Sequence, residues 1–207
     1  MAYSVKEIFH TLQGEGANAG RSAVFCRFAG CNLWSGHEVD RADAVCNFCD
    51  TDFIGIDGIN GGKFEKATEL AETVEKIWNT HVINSKNKFI VCTGGEPLLQ
   101  LDTKLIDAFH EYGFEVAVET NGTQPAPSNI DWICVSPKTK FSDLILTSGN
   151  ELKFVYPQET IQPEQFENLE FDLFYLVPMD GQDKQRNTQL SAEYCLKNPK
   201  WKLNLQM

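Results

Sequence analysis

The sequence predicts an α/β fold, an incomplete (partial) TIM-like barrel of parallel strands. Strand-like and helix-like segments alternate along most of the chain, an order typical of parallel βαβ units. Polar, glycine-bearing clusters come directly after the strands, which is where α/β sheets bind their ligands. The 207 residues, of which 42% are hydrophobic, are enough for one domain with a sizeable core.

The predicted strands are short apolar runs rich in β-branched and aromatic residues. In chain order they are Ala23–Phe28, Lys88–Cys92, Phe114–Val118, Trp132–Val135, Leu152–Tyr156, Phe171–Val177 and a closing strand, Trp201–Leu205. The stretch Trp34–Ile59 is polar, contains glycine and has neither helical nor strand periodicity. We therefore expect a long loop there.

Three segments have helical periodicity. We expect Thr68 to cap the first, which buries one face formed by Leu70, Val74, Ile77 and Trp78. We expect Asp102 to cap the second, which ends at Gly113 and buries Leu105, Ile106, Phe109 and Tyr112. The third covers Gln185–Lys197.

Four polar clusters each follow a predicted strand. They are Thr93–Pro97, Glu119–Gly122, Ser136–Lys138 and Pro178–Gly181. The carboxyl ends of parallel strands meet at one rim of a sheet or barrel. The order of the sequence therefore predicts that these clusters converge on one site.

Charge and targeting signals narrow the class of ligand. The formal net charge is −11, from 29 acidic and 18 basic residues, and no basic run offsets it. Such a surface repels phosphate backbones, so we expect a small-molecule ligand and no nucleic acid. No secretory signal and no bilayer-spanning apolar run is apparent, so we expect a cytoplasmic protein with no membrane partner.

Three of the seven cysteines lie in or beside the polar loop. Cys46 and Cys49 form a C-x2-C pair, and Cys31 lies upstream of Cys46 across fourteen intervening residues. In a reducing compartment such a group indicates metal ligands, and three thiolates suit a four-iron cluster with one open iron. The alternative is a structural zinc site completed by Cys26. We expect Cys92, Cys134 and Cys195 to be buried small hydrophobes.

Several motifs together resemble those of a known family. The aromatic residue before the third cysteine, Phe48, and the segment Gly94–Pro97 after a strand are typical of radical SAM enzymes. The first cysteine gap departs from that superfamily's usual three residues, but the longer loop costs only about 1–1.5 kcal/mol of closure entropy. Within the superfamily the chain resembles the 7-carboxy-7-deazaguanine synthases over nearly its whole length, through Phe9–Gly16, Phe28–Trp34, Cys49–Thr51, Thr93, Glu119–Gly122, Ser136–Lys138 and Pro178–Gly181.

The resemblance implies a reaction and a set of partners. The enzyme would bind S-adenosylmethionine (SAM) on the open iron of a [4Fe-4S] cluster and form a 5′-deoxyadenosyl radical. This radical would take a hydrogen from 6-carboxy-5,6,7,8-tetrahydropterin, and ring contraction with loss of ammonia would give 7-carboxy-7-deazaguanine for queuosine-type nucleosides. The resemblance also implies Mg²⁺, a flavodoxin- or ferredoxin-type reductant and a homodimer.

The resemblance also assigns site residues. Cys31, Cys46 and Cys49 would hold the cluster, and Thr51 would hold Mg²⁺. The substrate group is Leu12, Gln13, Gly14, Glu15, Arg27 and Thr93. The SAM group is Asn47, Phe48, Asp50, Gly94, Gly95, Glu96, Glu119, Asn121, Ser136, Pro137, Lys138, Pro178, Met179 and Asp180.

Side-chain chemistry supports some of these assignments and leaves alternatives. Gln13 and Glu15 suit the amide and amino edge of a pterin, but they also suit an ordinary polar turn. The Arg27 guanidinium suits a carboxylate, and the alternative is a surface ion pair. The Thr51 hydroxyl could join a Mg²⁺ shell or cap a helix or turn.

We expect residues 1–207 to form a single radical SAM domain with an inserted cluster loop at about 32–60. Trp201–Gln206 resembles the closing strand of the family, which usually continues with Thr-His-Lys and a few more residues, whereas this sequence ends at Met207. We expect a missing tail to leave folding intact but to uncouple SAM cleavage from product formation. Two rivals remain: another small radical SAM enzyme, such as a glycyl-radical activating enzyme, and a zinc-stapled binding module.

Overall fold

The computed structural model describes residues 2–83 and 86–206, and Met207 of the predicted C-terminal segment lies outside them. The strands are Tyr3–Leu12 (β1), Ser22–Phe28 (β2), Gly62–Phe64 (β3), Lys88–Gly94 (β4), Phe114–Thr120 (β5), Trp132–Val135 (β6), Ser148–Tyr156 (β7), Glu170–Pro178 (β8) and Lys202–Leu203 (β9). The α-helices are Ala67–His81 (α1), Thr103–Glu111 (α2) and Lys184–Lys197 (α3). Within the described residues the strands form one sheet in the order β3-β1-β2-β4-β5-β6-β7-β8-β9.

The sheet is open and mostly parallel, which confirms the predicted fold class. Neighbouring strands from β2 to β9, leaving out β3, all pair in parallel. At the other edge β1, which the sequence analysis did not predict as a strand, pairs antiparallel with both β2 and β3. The sequence pattern hid β1 because a register shift between Val5 and Glu7 interrupts its two-residue period.

The buried faces of α1 and α2 agree with the prediction, but only one of the two predicted helix caps does. Leu70, Val74 and Trp78 are buried on α1 as expected, but the helix begins at Ala67, and Lys66, not Thr68, occupies the cap position. The cap of α2 is confirmed, since the Asp102 carboxylate accepts a hydrogen bond from the Leu105 N–H at 3.0 Å. The closing strand β9 is shorter than predicted.

The two faces of the sheet carry different side chains. One face packs against α1 and α2 and forms the main apolar core, which includes Cys26 and Cys92. The opposite face carries a smaller apolar cluster with Val91 and Ala117. Two residues further along the same strands this inner face becomes polar, because successive inward positions are two residues apart. The polar positions lie at the carboxyl ends of the strands, where the site is expected.

The predicted cluster loop lies between β2 and β3. It contains one element that the pattern did not predict, a 3₁₀ helix over Glu38–Asp43. Among the described residues, no helix is both long enough and apolar enough to cross a membrane.

Candidate active site

A cavity of about 560 Å³ opens at the carboxyl ends of the parallel strands. All four predicted polar clusters contribute to its lining, so their convergence is confirmed. The lining residues from these clusters are Thr93, Gly94, Gly95, Glu119, Thr120, Asn121, Ser136, Lys138, Pro178, Met179, Asp180 and Gly181. The turn after β1 and the cluster loop supply most of the remaining wall.

Cys31, Cys46 and Cys49 line this cavity together. The Cys31 sulfur accepts a hydrogen bond from the Leu33 N–H at 3.4 Å, and burial raises the pKa of this thiol. A hydrogen bond between the thiols of Cys46 and Cys49 lowers the pKa of Cys49 to about 6. The pair therefore holds a thiolate near neutral pH, the form that binds iron.

The three sulfurs do not lie at the mutual spacing that one zinc ion would impose. Thiolates around one zinc ion lie about 3.8 Å apart, given Zn–S bonds of about 2.3 Å. In the part of the chain that the structure describes, the three rim cysteines do not form a group whose ligand atoms all lie within 4.8 Å of one another. Cys26 cannot complete a zinc site, because it is fully buried on the outer face and pairs in register with Cys92.

Glycines join the cysteine loop to β4. A Cβ atom on Gly95 would lie 2.2 Å from the Gly30 carbonyl oxygen, and one on Gly94 would lie 2.3 Å from the Phe28 carbonyl oxygen. The Glu96 N–H also donates to the Gly30 carbonyl at 2.9 Å. Close backbone packing beside Cys31 thus explains these glycines.

Glu96 lies beneath the cavity and does not line it. Its carboxylate is fully buried and accepts hydrogen bonds from the Thr120 hydroxyl at 2.7 Å and from the N–H groups of Asn121 and Leu98 at 2.8 and 3.0 Å. Burial raises the pKa of this carboxyl. The observed contacts of Glu96 are with the protein, and they fix the end of β5 relative to β4.

A network of charged side chains lies on the inner face between β1, β5 and β7. The Lys153 ammonium donates to the Glu15 carboxylate at 2.5 Å and to the Glu119 carboxylate at 2.6 Å. The Gln13 amide donates to the other oxygen of Glu119 at 3.1 Å. Glu119, which we predicted for SAM, therefore lies among the predicted substrate residues.

Arg27 does not line the cavity. It stands in register beside Thr93, which does, and its Nε donates to the Glu7 carboxylate at 2.8 Å. The structure thus contains an Arg27–Glu7 ion pair, the alternative to carboxylate binding that the sequence left open. Arg27 lies one strand away from Thr93, which lines the cavity. Leu12, which is exposed, Gln13 and Gly14 also lie outside the wall.

Thr51 and Asp50 line the cavity next to the cysteines. Thr51 begins no helix, which removes the helix-cap alternative, and its hydroxyl lies 3.4 Å from an Asp50 carboxylate oxygen. Its backbone N–H donates to the Cys49 sulfur. A hydroxyl and a carboxylate are hard oxygen ligands of the type Mg²⁺ prefers.

Some of the remaining predicted SAM residues line the cavity, and others lie behind its wall. Phe48 lines the wall, and the Lys138 ammonium lies 5.6 Å from its ring centroid and donates to the Ser136 hydroxyl at 2.6 Å. Asn47 and Pro137 do not line the cavity, and their backbone carbonyls accept hydrogen bonds from Arg41 and from Gln158.

Sequence reasoning missed several wall residues, chiefly Lys153, Arg41 and Gln206. Lys153 had a signal: Glu151 and Lys153 alternate with apolar residues in β7, so both point to the inner face. Arg41 stacks over Trp34 at 4.1 Å and donates to the Cys49 carbonyl at 2.9 Å, which braces the cluster loop. Cys134 is buried as predicted but faces Glu119 and Glu151, and Cys195 is only half-buried.

The open, mostly parallel sheet with three cysteines at its carboxyl rim defines an α/β enzyme of the radical SAM class. No family model matches the chain. It is 60% identical over 206 residues to the 7-carboxy-7-deazaguanine synthase of Caulobacter vibrioides, covering 100% of this chain and 96% of that protein. It is 56% identical to the 7-carboxy-7-deazaguanine synthase of Burkholderia multivorans over the same shares. The chain belongs to the 7-carboxy-7-deazaguanine synthase family.

A solved structure supports the fold independently. The chain is similar to the crystal structure of QueE from Escherichia coli with a TM-score of 0.66 and 23% identity, covering 100% of this chain and 95% of that one. At this level of identity the comparison concerns the fold alone.

Proposed function

We propose that this chain is a radical SAM lyase that converts 6-carboxy-5,6,7,8-tetrahydropterin to 7-carboxy-7-deazaguanine with loss of ammonia, in queuosine-type deazapurine biosynthesis. One observation carries the proposal: three thiols and a network of fixed carboxylates line the same cavity. A zinc module would need the thiols alone. The full-length identity of 60% to a synthase of this name supports the choice of substrate.

The residues present fit the implied cofactors. Cys31, Cys46 and Cys49 would hold a [4Fe-4S] cluster, and the rim residues Gly94, Asn121, Ser136, Lys138, Met179 and Asp180 are the cavity groups suited to SAM. When bound, the cluster and SAM supply a carbon-centred radical that abstracts a hydrogen atom from the substrate. The protein's part is to place the substrate and keep water away from that centre.

The substrate's two ends need opposite charges. Its aminopyrimidinone edge carries N–H donors, for which the Glu15 carboxylate is an ionised acceptor on the cavity wall. Its carboxylate needs a cation, and Arg27 beside Thr93 keeps its two terminal amino groups for that purpose, because its Nε bonds to Glu7.

Thr51, with Asp50, would contribute oxygen ligands to Mg²⁺ at the mouth of the cavity. When bound, Mg²⁺ would supply positive charge, which would add to that of Arg27 in neutralising the substrate carboxylate. Thr51 also bonds through its N–H to Cys49, so the same residue would link the metal shell to the cluster loop.

The wider setting is part of the same proposal. We propose that residues 1–207 act as one radical SAM domain, that the enzyme works in the cytoplasm as a homodimer, and that a flavodoxin- or ferredoxin-type protein supplies the electron. Reduced thiols at the rim are consistent with a reducing compartment.

Anaerobic incubation of the reconstituted protein with SAM, a chemical reductant and the carboxytetrahydropterin tests the proposal. We expect 7-carboxy-7-deazaguanine, identified by mass, together with 5′-deoxyadenosine. A protein that binds iron and cleaves SAM but leaves the pterin unchanged would instead favour another radical SAM enzyme, such as a glycyl-radical activating enzyme. Zinc in place of iron, with no visible absorbance, would favour the binding module.

A further inference from the structure

Lys153 is a buried cation that the proposed reaction does not yet use. Only 7% of its surface is exposed, and its ammonium touches the cavity. It binds the carboxylates of Glu15 and Glu119, whose side chains are 19% and 17% exposed. Lysine carries three N–H donors, and the structure gives Lys153 two hydrogen bonds within the described residues.

The three charges come from distant parts of the fold. Glu15 belongs to the turn after β1, Glu119 lies near the end of β5, and Lys153 lies in β7, with four strands between β1 and β7 in the sheet. The same turn is held a second time by β7, where the Glu151 carboxylate accepts the Ala17 N–H at 2.9 Å. Since the sheet is open, these side chains do what strand pairing would do in a closed barrel: they fix the first turn against the far strands.

Electrostatics makes the lysine necessary for the ionised state of its partners. Two carboxylates that meet in a buried site cannot both ionise without a counter-charge. Burial alone would raise the pKa of Glu15, but the nearby Lys153 outweighs it and the pKa of Glu15 is lowered. Burial alone would lower the pKa of Lys153, but Glu119, Cys134 and Glu15 raise it well above its usual value. The ammonium is therefore permanently charged near neutral pH.

We infer that Lys153 is a positioning residue for the substrate: its ammonium holds Glu15 and Glu119 as one fixed pair of ionised acceptors facing the N–H edge of the pterin. The inference rests on the proposed function and extends it. Lys153 acts through the carboxylates, so its loss should weaken pterin binding and leave the cysteine loop unchanged.

The inference predicts a pH signature. The titratable groups that face Lys153 are Glu15 from the turn after β1, Glu119 from β5, Cys134 from β6, Glu151 from β7 and, further off, Lys138 after β6. Without the ammonium, burial is no longer outweighed, and the pKa of Glu15 should rise. Pterin binding by Lys153→Met should therefore be weakest at low pH and recover as the pH rises, whereas in the wild-type protein the ammonium holds the pKa of Glu15 below its usual value.

Lys88 provides a matched control. It is 8% exposed, and its ammonium binds the Glu75 carboxylate at 2.6 and 2.7 Å, but it lies at the first position of β4, away from the cavity. Lys88→Met thus removes an equally buried ion pair without touching the site.

The experiment measures pterin affinity by anaerobic calorimetry at several pH values, with thermal unfolding and iron content as companion readouts. We expect Lys153→Met to bind the pterin about 30-fold more weakly or worse. It should keep its iron content, and Lys153→Arg should recover part of the affinity. Lys88→Met should lose stability and bind the pterin normally.

Three results would overturn the inference: unchanged affinity in Lys153→Met, a loss that is independent of pH, or an equal loss in Lys88→Met. If Lys153→Met does not fold, Lys153→Gln, which keeps a donor but no charge, takes its place against Lys153→Arg, and equal affinities would overturn the inference. Failure of the wild-type protein to bind or convert the pterin would instead count against the proposed function.

Discussion

Lys88 and Lys153 are both almost fully buried and both bind carboxylates, yet they lie at opposite ends of the parallel strands. At the amino end Lys88 joins β4 to Glu75 of α1 and to the Tyr112 carbonyl at 3.0 Å, all close neighbours in the sheet–helix layer. At the carboxyl end Lys153 joins β7 to a turn and a strand on other sides of the barrel interior. The two lysines share chemistry and burial but differ in what their partners face.

The difference lies in the cavity. Both partners of Lys153 line the cavity that also holds the three rim cysteines, whereas Lys88 lies beside a separate cavity at the amino ends of the strands, with Arg21 and Glu115. A buried ion pair is weak evidence for stability by itself, because desolvation offsets much of the attraction. The Lys153 pair, on the wall of the cavity that holds the cysteines, is better understood as a fixed charge arrangement for a ligand. The Lys88 pair joins a strand to a helix and is better understood as a packing element.

Cysteines extend the comparison and give the largest expected effect. Replacing Cys31, Cys46 or Cys49 by Ala should abolish cluster binding, because in the proposed cluster each thiolate would hold a separate iron. Replacing Cys92, which is buried on the outer face, should leave the cluster intact. Quantifying iron and sulfide after anaerobic reconstitution decides between them. If Cys26→Ala loses the cluster while Cys31→Ala keeps it, the assignment of the rim cysteines is wrong.

Two arginines test the same contrast for the substrate carboxylate. Arg27→Ala should weaken pterin binding by about 30- to 1000-fold, the value of one charge-assisted bidentate pair. Arg27→Lys should recover little, because an ammonium lacks the planar fork.

Arg21 is the control for Arg27. It makes a two-point contact with Glu115 and stacks 3.8 Å from the Phe89 ring centroid, at the start of the strands. Arg21→Ala should therefore bind the pterin normally. Equal affinities in the two alanine variants, each with an intact cluster, would return Arg27 to the role of an ion-pair partner for Glu7.

Lys88→Met should lower the free energy of unfolding by about 2 kcal/mol. The loss stays below that of a fully enclosed pair because the Glu75 side chain, 19% exposed, can turn toward solvent. Urea denaturation measures it, and pterin turnover serves as the control. A Lys88→Met protein with the wild-type free energy of unfolding but slow pterin turnover would contradict the packing role assigned to Lys88.

These contrasts also show what the sequence could and could not predict. The rim clusters were predictable because parallel strands end at one edge, so sequence order alone placed Thr93, Glu119, Ser136 and Pro178 together. The buried helix faces followed from periodicity in the same way. Both inferences use local patterns whose consequence is fixed by geometry.

Contacts that cross the barrel interior were not predictable. The partners of Lys153 are 138 and 34 residues away in sequence, and nothing local specifies either. The antiparallel β1 was missed because a bulge broke its period. The burial of Glu96, which was expected to contact SAM, could not be predicted because its partners at the end of β5 are distant in sequence. Alternation in β7 did carry a signal, since two charged residues on the inner face of an apolar strand require partners or a ligand.

The smallest expected effect concerns Thr51 and magnesium. Thr51 lines the cavity next to the cysteines, and within residues 2–83 and 86–206 its hydroxyl makes one long contact, 3.4 Å to Asp50, so the geometry leaves it available to a metal. If it joins the shell, added Mg²⁺ should raise pterin turnover, and Thr51→Ala should reduce that response by about 10-fold, the lower end for a group that tunes a metal site. Thr51→Ser keeps the oxygen and should keep the response.

Thr73 provides the comparison for Thr51. It lies on the exposed surface of α1 and does not line the cavity, and its hydroxyl donates to the Glu69 carbonyl. Thr73→Ala should respond to Mg²⁺ like the wild-type protein. Titrating Mg²⁺ into chelator-treated enzyme measures the apparent affinity for the metal in all three variants. Because Thr51 also donates its N–H to Cys49, iron content must be equal across the series before the responses are compared. Alanine at position 51 removes the hydroxyl but not that N–H, so a lost magnesium response with normal iron identifies the side chain as the ligand. Turnover that ignores both Mg²⁺ and chelator would leave Thr51 with its backbone role beside the cysteines alone.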